Sequence, residues 1–158
     1  WSAADAVRVL RRIEPLDIEL VEQPVARGDL DGLRWVRERS PIPVFADESA
    51  HELHDIGRLA GCVDGVNLKL MKTGGLRTMR RMIDAARAHG MKVMLGSMVE
   101  SSLALSAAAM LAPMVDYLDL DGHWLLKDDP YDGAPRECGR IVLNDRPGLG
   151  VVPSGAHD

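Results

Sequence analysis

The sequence predicts an α/β fold built on a parallel sheet, and three observations carry that prediction. Short apolar runs alternate with longer amphipathic stretches, no hairpin-turn signals join consecutive runs, and the runs are apolar enough to be covered on both faces. About five β/α units can be counted, belonging either to a doubly wound sheet or to part of a barrel.

Residues 2–13, SAADAVRVLRRI, form the first helix: Ala3, Val7, Leu10 and Ile13 recur at helical spacing, with Arg8, Arg11 and Arg12 mostly opposite. A strand follows in DIELVEQP, 17–24, and stops at Pro24. Asp29 or Asp31 caps a helix reaching about Arg39. The Pro-rich SPIPVFADES leads to a second strand near 43–47, then a helix over 50–60 and a third strand, DGVNLKLM, at 64–71. Gly74 and Gly75 turn the chain into the clearest helix, 76–89, whose apolar face is Leu76, Met79, Met82, Ile83 and Ala86. His89-Gly90 ends it, KVMLG at 92–96 is the fourth strand, and SSLALSAAAMLA is a helix ending before Pro113. VDYLDLD, from about 115, is the fifth strand. From about 128 the pattern breaks into a segment rich in Gly, Pro and Asp with one short strand, GRIVL. The chain therefore divides into an α/β part, 1–127, and an irregular C-terminal extension, 128–158.

Composition bounds the function. The chain has 158 residues, 46% of them hydrophobic and 27% charged, enough to bury a core that falls to Leu, Val, Ile, Ala and Met because aromatics make up only 4%. A net charge of −5 argues against nucleic-acid and anionic-membrane partners, and no apolar run reaches the roughly 18 residues of a membrane span. Cys62 and Cys138 form no CxxC pattern, which suits a reduced, cytoplasmic protein in which neither has a catalytic role. The first residue is Trp1, not Met, so the chain reads as a piece of something longer.

Ligands of parallel α/β folds sit at the carboxyl ends of the strands. Here those ends present Glu22, Asp47, Lys69, and the pair Asp119 and Asp121. Residues two apart on a strand share a face, which groups Ile18, Leu20 and Glu22, then Phe45 and Asp47, then Asn67, Lys69 and Met71. Glu22 and Asp47 on adjacent strands are hard oxygen ligands of the kind Mg²⁺ takes. Asp47-Glu48-Ser49 also reads as a cap for the following helix. Lys69 fits a base beside a metal-bound carboxylate, although burial lowers its pKa while carboxylates raise it. Asp119 and Asp121 repel each other unless a cation lies between them, either a second metal or a substrate ammonium; the alternative is a solvated acidic turn.

VEQP at 21–24, ADES at 46–49, NLKLMKTGG at 67–75, GSMVESSLALSAAAMLA at 96–112 and DLDGHWLL at 119–126 together resemble the enolase superfamily, and within it the dipeptide epimerases of the L-Ala-D/L-Glu type. The resemblance covers nearly the whole chain. It implies a partial (β/α)8 TIM-type barrel, the later five units plus a tail returning to a capping domain that this sequence lacks. It implies that Glu22 and Asp47 bind Mg²⁺, that Lys69 is one of two acid/base lysines, and that Asp119 and Asp121 clamp the dipeptide ammonium. The implied reaction removes the α-proton of the C-terminal residue through an enediolate and returns it to the opposite face. The family's KxK strand and third metal carboxylate are missing, and Trp1 matches the tryptophan that follows that carboxylate. Muconate cycloisomerase-like and succinylbenzoate synthase-like enzymes are the alternatives within the superfamily. A non-catalytic half-barrel, whose unpaired edges invite a homo-oligomer, is the alternative outside it.

Overall fold

The computed structural model describes residues 1–134, 136–137 and 139–155, so Cys138 lies outside the described residues. Helix α1 spans Ala3–Ile13 and starts at Ser2, whose hydroxyl accepts the Asp5 N–H at 3.1 Å. Five strands follow, β1 Val21–Glu22, β2 Val44–Ala46, β3 Gly65–Lys69, β4 Lys92–Gly96 and β5 Tyr117–Asp119. They form one sheet in that order, with every neighbouring pair parallel. Helices α2 Leu30–Arg37, α3 Leu53–Leu59, α4 Leu70–Thr73, α5 Leu76–Ala88 and α6 Ser102–Ala109 lie between them. This is the expected run of β/α units, curled as part of a barrel.

Strand alternation separates two faces. Val44, Ala46, Val66, Leu68, Val93 and Leu95 join Leu10, Leu33, Ile56, Leu59, Met79, Met82 and Ile83 in the buried core beneath the helices. The register places Glu22 beside Phe45, Asn67 beside Met94, Lys69 beside Gly96, and Gly96 beside Asp119 on the other, concave face. There the Phe45 and Tyr117 rings meet edge to face at 5.7 Å.

Several boundaries differ from the sequence expectation for local reasons. The first strand shrinks to two residues because a 3₁₀ turn at Glu14–Leu16 carries the chain to Asp17, a left-handed residue with φ 55°. Its neighbour adds a limit, since Pro41 and Pro43 have no N–H to offer ahead of β2. Ile18 is consequently exposed rather than aligned with Glu22. Helix α3 begins late because the Asp55 carboxylate accepts the N–H groups of His51 and Glu52 at 3.1 and 2.9 Å, holding them outside the helix. The third strand stops at Lys69, where α4 makes a single turn that Gly74 ends at φ 75°, so Met71 leaves the strand and is exposed.

The extension contains more structure than expected. Tyr131–Asp132 pairs with Val152–Pro153, and Arg136–Glu137 with Arg140–Ile141, each antiparallel. It is fastened to α6: Ser102 N–H donates to Asp129 Oδ2 at 2.8 Å, Ser102 Oγ to the Tyr131 carbonyl at 2.7 Å, and Ala134 N–H to Ser106 Oγ at 2.8 Å. Among the described residues, no helix is long and apolar enough to cross a membrane.

Candidate active site

The concave face converges on charge at the carboxyl ends of the strands. Asp47, one residue beyond β2, is 8% exposed and holds two ammonium groups. Lys69 Nζ donates to its Oδ2 at 2.7 Å, while Lys72 Nζ donates to its Oδ1 and, at 2.8 Å, to its main-chain carbonyl. Burial pushes the Asp47 carboxyl up, but the two lysines outweigh it and leave the pKa below the ordinary value. Burial likewise pushes Lys69 down, yet Asp47, Glu22 and Glu48 bring it above its ordinary value, so Lys69 is an ammonium in this state. For Lys72 burial wins, aided by the Lys69 charge, and its pKa is lowered.

Glu22 ends β1 and accepts a hydrogen bond from Asn67 Nδ2. It keeps a solvent-exposed flank on the open concave side, yet desolvation by its surroundings raises its pKa, and the charges of Asp47 and Asp119 add to the rise. Asp119 is raised too, first by burial and then by Asp121, with Lys69 opposing. Glu22, Asp47, Lys69 and Asp119 thus form one electrostatic cluster spanning the sheet.

Asp121 joins that cluster through its charge on Asp119. It does not share a strand face with Asp119, because β5 ends at Asp119 and Asp121 caps the 3₁₀ turn Gly122–Leu125 with φ −102° and ψ −6°. The turn is fixed by Gly122, where a Cβ would lie 1.8 Å from the Met98 carbonyl oxygen, and by Gly122 N–H donating to Ser97 Oγ at 3.1 Å. Asp119 and Asp121 line the same largely apolar concavity of about 540 Å³, together with Ala109, Trp124, Ile141 and Leu143.

The two carboxylates Glu22 and Asp47 suit a divalent cation of the Mg²⁺ kind as two of its ligands, being hard oxygens at neighbouring strand ends. Among the described residues, no third His, Cys, Asp or Glu completes a cluster with them.

A model of the enolase C-terminal domain-like family matches residues 1–157. The chain belongs to that family. As a family member it is 44% identical over 147 residues to an L-Ala-D/L-Glu epimerase of Bacteroides thetaiotaomicron, covering 93% of this chain and 38% of that protein. It is 44% identical over 156 residues to a hydrophobic dipeptide epimerase of Roseobacter litoralis, covering 99% of this chain and 45% of that one. The crystal structure of a dipeptide epimerase from Cytophaga hutchinsonii, complexed with Mg and the dipeptide D-Ala-L-Val, superposes with a TM-score of 0.91 at 32% identity, over 99% of this chain and 45% of that one. The chain therefore spans less than half the length of these relatives.

Two residues of this family member's site were not singled out from its sequence. Lys72 enters because α4 swings it back over Asp47, a consequence of the strand stopping early. Gln23, in the left-handed region at φ 38°, fastens two loops together. Its Oε1 accepts the N–H groups of Asp47 and Ser49, each at 3.1 Å, and its Nε2 donates to Ser49 Oγ at 3.0 Å and the Val25 carbonyl at 3.2 Å. Asp47-Glu48-Ser49 therefore does not cap α3; its Asp serves the site and its Ser the loop bridge. No sequence signal marks either role, since both depend on contacts 24 or more residues away.

Proposed function

We propose that this chain forms part of the active site of a Mg²⁺-dependent dipeptide epimerase that inverts the α-carbon of the C-terminal residue in substrates such as L-Ala-D/L-Glu. The observation that carries the reading is Lys69 Nζ, 2.7 Å from Asp47 and in the same charge cluster as Glu22. A proton-carrying side chain beside two cation-binding carboxylates is what α-proton exchange next to a carboxylate group requires.

In this reading Glu22 and Asp47 hold the ion, which when bound supplies positive charge for the negative charge that develops on the substrate carboxylate. Lys69 takes or returns the α-proton at Nζ. Lys72 tethers Asp47 by both its side chain and its main chain, which keeps that carboxylate in one orientation. Asp119 and Asp121 receive the dipeptide ammonium: both line one concavity, and burial followed by the Asp121 charge raises the Asp119 pKa, so a cation placed there would be favoured. That requirement favours dipeptides over the substrates of muconate cycloisomerase-like or succinylbenzoate synthase-like enzymes, which carry no ammonium. Inversion needs a second base on the opposite face of the α-carbon. The extension at 128–158 would face a capping domain, and the free, buried Cys62 suits a cytoplasmic setting.

The test is a chimera in which this chain replaces the matching segment of the Roseobacter litoralis protein. In Mg²⁺ and D₂O it is expected to epimerise a dipeptide with α-deuteration visible by NMR, and Lys69→Ala is expected to abolish both. Unchanged turnover in Lys69→Ala removes the proton-transfer assignment. The 158-residue chain alone is expected to bind Mg²⁺ weakly and to leave the dipeptide un-epimerised.

A further inference from the structure

Asn67 is 1% exposed on β3, two residues before Lys69, and its amide is half satisfied. Nδ2 donates to Glu22 Oε1, while Oδ1 is buried with no hydrogen-bond partner. Turning the amide over does not help, because Oδ1 would then oppose a carboxylate oxygen, acceptor against acceptor. Nor is the amide free to move. A Cβ at Gly96, across the sheet, would lie 2.5 Å from Oδ1, 2.7 Å from Nδ2 and 3.0 Å from Cγ, so the amide occupies the space a side chain at 96 would need. Gly96 has an ordinary φ, so room for Asn67 is the reason for glycine there.

An aliphatic side chain of the same size would fill this place without burying an unmet acceptor. What asparagine adds is one donor aimed at one oxygen of Glu22. Among the described residues no protein donor reaches the other oxygen, Oε2, which leaves it available to a cation. We propose that Asn67, lodged against Gly96, is a positioning residue that orients the Glu22 carboxylate for metal binding; the inference rests on the reading of Glu22 as a metal ligand.

Mn²⁺, titrated into the purified 158-residue chain and followed by the loss of its free-ion EPR signal, tests this alongside thermal melts of each variant. Asn67→Leu removes the donor together with the orphaned acceptor, and is expected to weaken Mn²⁺ binding about tenfold with Tm unchanged or raised. Gly96→Ala displaces the amide from the other side and is expected to weaken binding to a similar degree. Parent-like affinity in either variant overturns the inference, as does a drop in Tm that parallels the loss of affinity in Asn67→Leu, since a purely structural role predicts that pattern. A parent chain that fails to bind Mn²⁺, or a Glu22→Gln variant that binds as the parent does, overturns the ligand reading itself and the inference with it.

Discussion

The two ends of the sheet carry acidic residues in opposite circumstances. At the amino ends, Asp64 ahead of β3 takes the Val44 N–H at 2.9 Å and the Arg37 Nε at 2.8 Å. Asp116 ahead of β5 repeats the device with the Val93 N–H at 2.8 Å and the Arg87 guanidinium at 2.9 Å. Each ties a strand start to the preceding strand and to the end of a helix, and each is satisfied within the chain. At the carboxyl ends, Glu22 is raised by burial and then by the charges of Asp47 and Asp119, Asp119 is raised by burial and then by Asp121, and Asp47 is instead held below its ordinary value by its two lysines. One end is arranged for stability and the other bears charge whose natural counterpart is a ligand, the division expected of barrel folds.

That contrast can be broken by substitution. The largest effect is expected at Asp47→Asn, which strands two partly buried lysine side chains and should cost about 3 kcal/mol in denaturant unfolding at neutral pH. A loss well under about 1 kcal/mol would falsify the view that the Asp47 pairings are structurally necessary. Next, Gln23→Ala leaves the Asp47 and Ser49 N–H groups without their acceptor and should cost about 2 kcal/mol by the same measurement.

Asp116→Asn should cost about 1 kcal/mol, and its pH signature is distinctive. Burial opposes ionisation of Asp116, but the Val93 N–H and Arg87 hold its pKa below the ordinary value. Its contribution is therefore full above the unfolded carboxylate pKa, near about 4, and is lost as pH falls through the folded value. The variant should show a shallower acid limb; an unchanged limb assigns acid unfolding elsewhere.

The smallest effects have the opposite sign. The raised pKa values of Glu22 and Asp119 mean that their folded forms hold protons longer than the unfolded chain does, so stability falls as pH climbs from the unfolded carboxylate range through the folded values. Glu22→Gln and Asp119→Asn should remove that slope and raise Tm slightly at neutral pH while impairing the site. Melts between about pH 4 and 8 decide it, and a lower Tm for both at neutral pH would erase the difference between the two ends.

Much of this was legible in the sequence because amphipathic periodicity survives folding. Helix α5, with Met79, Met82, Ile83 and Ala86 buried, and β4 at Lys92–Gly96 lie where the pattern puts them. The pairing of Phe45 with Asp47 and of Asn67 with Lys69 on one face follows from strand alternation alone. The repeated Val-Asp ahead of β3 and β5, at 63–64 and 115–116, was visible but carries no periodic signal to distinguish it from a loop charge. What alternation cannot foresee is where a strand stops. The turn at Leu70–Thr73 removed Met71 from the face and delivered Lys72, and the early end of β5 put Asp121 into a helical turn. In the extension the expected strand GRIVL appears as Arg140–Ile141, whereas the pairing of Tyr131–Asp132 with Val152–Pro153 joins segments up to 22 residues apart and has no pattern of its own to announce it.

Gln23 sits next to Glu22 in the chain and grips the main chain of Asp47 through space, which gives the rim a mechanical property. One side chain thus joins the loops after β1 and β2 by three hydrogen bonds, so a substitution at Gln23 is expected to loosen the spacing of both carboxylates at once.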